Sequence, residues 1–316
     1  MALGLGTFTS NGSEPFPGLV VDDQVVDLRT SFGDDATTLS LLESWNGDLG
    51  GLESLAARGA GRSIPLSTLS AKAPITARQI LCAGANYTRH VSQMAFAALK
   101  REAPSMADEE LREQALQIAE ELKDGQPFIF AGLPSAVTGA NDDVVLWGPG
   151  EQHDWELELA VVIGRGGRHI PRERAMEHVA GYTVSNDIST RDMLVRPGFP
   201  MSDLLMTKSR PTFFPTGPYI VPRQKIGDYH DLRIKLSVNG EVMQDESVQD
   251  LMHDIDKLVA YASSSFELLP GDLLLTGSPA GNAGHHGNRW LRPGDVIEGV
   301  IEGVGAQRNL CVAPPE

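Results

Sequence analysis

The residues most able to do chemistry in this sequence are two glutamates on an apolar strand pattern. In Asp154-Trp155-Glu156-Leu157-Glu158-Leu159-Ala160-Val161-Val162-Ile163-Gly164, alternate side chains share a face. Leu157, Leu159, Val161 and Ile163 then point one way, and Glu156, Glu158, Ala160 and Val162 the other. Carboxylates two residues apart on a strand stand about 7 Å apart at their bases. On a half-buried face they repel each other and are costly to desolvate. A hard divalent cation resolves both problems, because Mg²⁺, Mn²⁺ and Ca²⁺ prefer carboxylate oxygens. A solvent-facing edge strand whose glutamates touch only water fits the same letters.

A second segment, Gly181-Tyr182-Thr183-Val184-Ser185-Asn186-Asp187-Ile188-Ser189-Thr190-Arg191-Asp192, reads as a strand ending in a polar turn. Asp187 at its end could close a three-carboxylate site and leave positions for water or substrate. Taken alone, Asn186-Asp187 is equally an ordinary turn.

These segments need a scaffold of strands. The chain has 316 residues, enough for one large domain or two, and its 33 Gly and 20 Pro favour many short strands with tight turns over a helical bundle. Residues 1–74 read as a small β-containing domain or arm, with a hairpin turning at Asp22-Asp23, a weak helix over 39–57 and a linker over 59–70. Residues 75–316 read as the catalytic domain. A strand over 80–85 leads into a helix carrying His90. Residues 92–123 are rich in helix formers and divided at Pro104-Ser105, with Ser105 a candidate N-cap, so two helices form an insertion at about 97–125. Strands are expected over 143–147, 156–164, 181–185, 219–221, 232–238, 241–243, 272–275 and 295–301, with a type I′ turn at Asn239-Gly240 and one helix over 250–268. The fold class is α+β, mainly β.

The formal charge of −16 makes nucleic acid and anionic membranes poor partners, and an anionic substrate would need local help from a metal, Arg or Lys. Cys82 and Cys311 form no disulfide framework and read as small buried residues. The opening MALGLGTFTSNGSEPF has neither a basic n-region nor an apolar h-region, and no apolar run approaches a membrane span, so the cytoplasm is the expected compartment.

Glu156-Leu157-Glu158 followed by Asn186-Asp187-Ile188-Ser189-Thr190-Arg191-Asp192 resembles the fumarylacetoacetate hydrolase superfamily. Further pieces fall in the family's order: Gly84-Ala85-Asn86-Tyr87-Thr88-Arg89-His90, Lys208-Ser209 with Phe214-Pro215-Thr216-Gly217-Pro218, Thr276-Gly277-Ser278-Pro279-Ala280-Gly281, and Leu291-Arg292-Pro293-Gly294-Asp295. The resemblance spans roughly three quarters of the chain, from about residue 80 to 309. Each motif alone is weak; five in order are specific.

The resemblance implies a rolled mixed β-sheet, a homodimer, and one Mg²⁺ or Mn²⁺ per subunit held by Glu156, Glu158 and Asp187. It implies a small 2-oxo acid substrate. Lys208 would face a developing enolate or oxo oxygen, Arg191 would hold a substrate carboxylate or brace the metal carboxylates, and Ser278 would meet the substrate's far oxygen. His90 would be the general base. Outside that context Lys208 is an ordinary surface lysine, Arg191 half of a structural ion pair and Ser278 a turn residue. Gln93 stands where hydrolytic relatives carry a Glu paired with the His; an amide can orient the imidazole but not balance imidazolium. Leu194, Pro211 and Gly132 replace polar family residues, so the pocket should suit an apolar or cyclic substrate portion, with the helical insertion as a lid. His285 and His286 lack a third ligand nearby and read as a loop at the pocket rim. The leading expectation is hydrolysis of a C–C bond in an acylpyruvate or diketo acid through a metal-stabilised enolate. The alternatives are a decarboxylase, isomerase or dehydratase of a 2-oxo acid, and a metal-binding scaffold without catalysis.

Overall fold

Leu157–Ile163 lies at the centre of a wide sheet. It is flanked by Val179–Asn186 on one side and Leu273–Leu275 on the other, both antiparallel. The computed structural model describes residues 2–10, 12–58, 63–199 and 201–315. From one edge, the sheet runs Ser63–Pro65, Gln24–Asp27, Phe16–Val21, Leu3–Thr9, Phe214–Pro222, Val179–Asn186, Leu157–Ile163, Leu273–Leu275, Ile80–Gly84, Phe128–Gly132. Leu273–Leu275 and Ile80–Gly84 run parallel, so the sheet is mixed. A second sheet orders Glu241–Ser247, Arg233–Val238, Val296–Ile301, Gly305–Val312 and Val144–Val145. The fold is α+β and mainly β, as the sequence led us to expect.

The apolar alternation has a direct consequence for packing. Leu157, Leu159, Val161 and Ile163 point into a core shared with Ile234, Leu236, Ile297 and Ile301 of the second sheet. Ala160 and Val162 point the other way, into a core with Cys82, Leu273, Leu275 and the N-terminal residues Leu3, Leu5 and Leu19. All seven residues of the strand are buried. The edge-strand reading of Glu156 and Glu158 is therefore overturned, because the strand is paired on both sides and covered on both faces.

Leu3–Thr9 joins Phe214–Pro222 through Leu5 and Ile220, so residues of 1–74 share a sheet with residues of 75–316. The hairpin falls as expected, with Val20 opposite Val25 and Asp22 in the left-handed region (φ 53°). Asn239 and Gly240 both have positive φ, as a type I′ turn requires.

Several expectations need correction. The weak helix is two, Thr38–Ser44 and Leu52–Ala57, separated where Asn46 and Gly47 adopt positive φ. Of the expected linker, residues 59–62 lie outside the described residues. Ser63–Pro65 pairs with Gln24–Val26, and Ser70–Ala71 pairs with Leu3–Thr9. The helix carrying His90 and the first helix of the insertion are one, Thr88–Glu102; the second, Asp108–Lys123, is entered at Ala107 with no side-chain cap, and Ser105 is not its N-cap. Acidic residues Asp108, Glu109 and Glu110 in its first turn complement the helix dipole instead. Leu3–Thr9, Phe128–Gly132 and Gly305–Val312 were not anticipated as strands. No described helix is long and apolar enough to cross a membrane.

The loop after Leu273–Leu275 is anchored by close backbone approach. Gly281 has φ +101°, and a Cβ there would lie 2.1 Å from the Met243 carbonyl oxygen. Gly281→Ala should lower stability by about 2–4 kcal/mol, from strained φ plus overpacking. Urea unfolding tests this; an unchanged midpoint would show that the loop does not depend on the contact.

Candidate metal centre and active site

The register of the central strands assembles the acidic residues. Leu157 stands opposite Asn186 and Glu158 opposite Ser185, which carries Glu156 to Asp187 at the end of the ladder. The Asp187 amide donates to the Glu156 carbonyl at 2.8 Å, and the Asn186 side-chain oxygen accepts from the Glu156 amide at 2.8 Å. One carboxylate oxygen from each of Glu156, Glu158 and Asp187 lies within 4.8 Å of the others, and all three residues are buried. Residues some thirty apart in sequence thus converge because their strands are antiparallel neighbours.

Two cations face this cluster. Lys208, at the end of the short helix Leu204–Lys208, donates from Nζ to Glu156 Oε2 and, at 2.6 Å, to Asp187 Oδ2. Its ammonium also lies 5.3 Å from the centre of the Phe130 ring. Arg191 donates from Nε to Asp154 Oδ2 at 2.8 Å and from Nη2 to Glu156 Oε1 at 2.6 Å. Of the two roles anticipated for Arg191, bracing the carboxylates is the one its contacts show.

Burial raises the carboxyls' affinity for protons, and neighbours then separate them. Glu156 loses solvent, but Arg191 and Lys208 outweigh that loss and hold it well below the usual carboxylate range. Glu158 is pushed up by burial, then by the charges of Asp187 and Glu156. Asp187 is also pushed up, by burial against a partial offset from Lys208. Burial lowers the Lys208 ammonium, but Asp187 and Glu156 reverse this and raise it.

His90, on the helix Thr88–Glu102, lines the same cavity of about 180 Å³, along with Ser278, Leu194 and Phe128. Burial drives its imidazole down to about 4, against an opposing pull from Glu156. His90 Nδ1 and Gln93 Oε1 are both buried without a hydrogen-bond partner among the described residues. The Gln93 carbonyl oxygen and His90 Nδ1 therefore make no contact through which the amide would orient the imidazole. Gln93 instead borders a neighbouring cavity with His285. Ser278 has its hydroxyl engaged, donating to the Pro279 carbonyl at 3.1 Å and accepting from Gln244 at 3.0 Å.

The family described as fumarylacetoacetate (FAA) hydrolase, C-terminal, matches residues 79–312. The chain belongs to the fumarylacetoacetate hydrolase family. The human mitochondrial oxaloacetate tautomerase FAHD2B is 34% identical over 251 residues, covering 79% of this chain and 71% of that protein. The solved fumarylacetoacetate hydrolase of psychrophilic Exiguobacterium antarcticum matches at a TM-score of 0.78 with 26% identity, over 99% of this chain and 100% of that one. Maleylpyruvate hydrolase from Sphingobium sp. SYK-6, solved in complex with manganese(II) and pyruvate, matches at 0.74 with 27% identity, over 99% of this chain and 100% of that one.

The donor set fits a divalent cation of the kind in that complex. Asp154, Glu156, Glu158 and Asp187 are four buried carboxylates, and Lys208 and Arg191 supply two positive charges. Asp187 Oδ1 has no hydrogen-bond partner among the described residues. An oxygen-only, acid-rich, buried cluster with a spare oxygen is what a hard cation requires.

Three residues that hydrogen-bond around this cluster were not singled out from the sequence. Asp154 accepts from the Trp155 and Ala283 amides and thereby orients Arg191. Asn282 donates to Glu156 Oε1 at 3.2 Å. Gln244, fully buried, links Ser278 to the Leu157 amide. Asp154 lies two residues before Glu156, the one signal that pointed to it; the other two come from distant loops and strands. Residues 97–125, expected as a lid, contribute nothing to the cavity lining among the described residues; Met94 and Phe128, on either side of them, do. Gly132 is required by packing, since a Cβ there would lie 2.7 Å from the Phe214 ring. Pro211 accepts from the Trp147 indole at 3.0 Å. His286 bonds the Met243 carbonyl, and neither it nor His285 lines the carboxylate cavity.

The depressed His90 makes a pH prediction. A histidine whose folded value lies below its unfolded value contributes fully above about 6.5, and that contribution is lost as pH falls toward 4. Histidine NMR of the metal-free protein, with His90→Gln for assignment, should give a midpoint near 4. A midpoint of 6.5 would mean the ring is solvated.

Proposed function

We propose that this chain is a divalent-metal-dependent enzyme that shifts a proton on a 2-oxo acid, acting as a keto–enol tautomerase or isomerase. The observation that carries this reading is His90: a buried, neutral imidazole on the wall of the carboxylate cavity, hydrogen-bonded to no carboxylate among the described residues. Moving a proton between carbon and oxygen needs one group that takes it and returns it, and a neutral imidazole does both. Hydrolysis of a C–C bond also needs water activated beside a lasting imidazolium, and Gln93 offers no counter-charge for that.

Glu156, Glu158 and Asp187 would hold the cation, Mg²⁺ or Mn²⁺. When bound, it supplies Lewis-acid polarisation of an oxo oxygen and a positive anchor for a carboxylate. Arg191 keeps Glu156 ionised and aimed. Lys208 brings an ammonium to the cavity, where it favours negative charge on a nearby oxygen. Met94, Phe128, Phe130, Leu194 and Leu204 make the remaining wall apolar, which suits an alkyl or cyclic group attached to the 2-oxo acid. The similarity to oxaloacetate tautomerases supports the reaction class.

Hydrolysis of an acylpyruvate-type C–C bond is a second reading. It is supported by the full-length likeness to maleylpyruvate hydrolase.

The test follows the ultraviolet absorbance of enolised oxaloacetate and enolised acylpyruvates, with Mg²⁺ or Mn²⁺ added to metal-free protein and products analysed by NMR. The tautomerase reading predicts metal-dependent loss of the enol signal with the carbon skeleton intact. Glu158→Gln and His90→Ala should each reduce the rate at least a hundredfold, on the order of a lost ligand or general base. Appearance of pyruvate with a second acid would replace this reading with the hydrolytic one. No change with any compound would contradict both.

A further inference from the structure

Beside the carboxylate cavity lies a second, wider one of about 980 Å³, between the helix Thr88–Glu102, the following helix and the loop at Gly284–Asn288. Its charged lining is one-sided: Arg89, Lys100, Arg101 and Arg112 border it, and no Asp or Glu does among the described residues. The chain as a whole has 42 acidic residues against 26 Lys and Arg, so this concentration runs against its composition.

Two of the four cations are already engaged: Arg89 with Glu246 at 2.7 Å, and Lys100 with Asp108 at 2.8 Å. Arg101 and Arg112 make no direct ion pair among the described residues, although Arg112 stands near enough to Asp108 to stabilise its charge beside Lys100. Arg112 is instead held over the Phe96 ring, 5.3 Å from its centre. Lys100 and Arg101 lie in the last turn of their helix, where they also complement its dipole. Arg112 belongs to a different helix and Arg89 to the first turn, so the dipole does not account for the cluster.

The cavity also adjoins the carboxylate site. His90, Met94, Ala97 and Arg101 follow one another at helical spacing and share a face. Met94 lines both cavities. At the helical rise, Arg101 lies roughly 16 Å along the axis from His90.

We propose that this cavity is a binding site for a small polyanion carrying carboxylate or phosphate groups, held by the guanidiniums of Arg101 and Arg112 with Phe96 supporting Arg112. Planar guanidiniums with free donors are suited to both groups, and an acidic protein gives an anion few other places to settle. The site is distinct from the acid cluster and does not depend on the reaction proposed above.

The test is isothermal titration calorimetry on the full chain without added metal, at low ionic strength, using pyrophosphate in one arm and tricarballylate in the other. The expected result is saturable binding of at least one of them, one anion per chain, weakening as salt rises. Arg101→Ser with Arg112→Ser should raise the Kd by about tenfold per lost guanidinium. These side chains are exposed, and the thermal unfolding midpoint of the double variant should be unchanged. Binding in one arm alone assigns the site to phosphate or to carboxylate chemistry. Absence of saturable binding in both arms, or equal affinity in wild type and double variant, overturns the proposal.

Discussion

Four carboxylates are buried together in this protein, and among the described residues two cationic side chains face them. Isolated charges in a protein interior cost several kcal/mol each unless paired, so this imbalance is the main constraint on the structure around it. Arg191 and Lys208 settle it for Glu156, which both contact. Glu158 and Asp187 receive less help and are pushed toward holding protons. A divalent cation held by Glu156, Glu158 and Asp187 would supply the two positive charges that the side chains lack.

Much of the fold serves to maintain that cluster. The central strand has to be paired on both sides and covered on both faces, because a strand open to water would solvate its glutamates and relax the imbalance. Asn186, Asp154, Asn282 and Gln244 add further backbone and side-chain hydrogen bonds around it, so that the carboxylates are aimed and not merely buried. The Gly277 amide, delivered by a positive φ of 99°, donates to Glu158 at 2.6 Å. The loop after Leu273–Leu275 thus belongs to the acid site, and the parallel strand Ile80–Gly84 beside it brings His90 to the same end of the sheet. Ala85, next in the chain, also takes a positive φ of 55° and lines the cavity.

What was legible in the sequence was what has a short period. The alternation through Leu157–Ile163, the Asn239-Gly240 turn and the helix formers after Ser92 each announce a local element. Strand periodicity and a polar turn raised Glu156, Glu158 and Asp187 as candidates, and the family resemblance joined them into one set. Lys208, Arg191 and His90 emerged only from the family resemblance, since a lone cation or histidine has no periodicity to mark it. Gln244 and Asn282 were hidden because their partners lie 87 and 126 residues away. The pairing of Leu3–Thr9 with Phe214–Pro222 was hidden for the same reason: nothing local in an apolar strand names its neighbour. Residues 97–125 stand beside the neighbouring cavity and not on the wall of the carboxylate one, a placement that an insertion's length cannot give because it says nothing about which way its helices pack.

The central claim is that the acid cluster is built around a divalent cation, and the order of stabilities tests it most directly. Thermal unfolding of wild type and Glu158→Gln would be compared without metal and with saturating Mn²⁺. Without metal the variant should be as stable as wild type or more so, because it removes a poorly compensated buried carboxyl and keeps an oxygen for the Gly277 amide. With Mn²⁺ at a hundredfold excess over its dissociation constant, wild type should gain roughly 5 °C and the variant little, reversing the order. A variant less stable than wild type by the same margin in both conditions would show that Glu158 serves the fold alone, and would contradict the account.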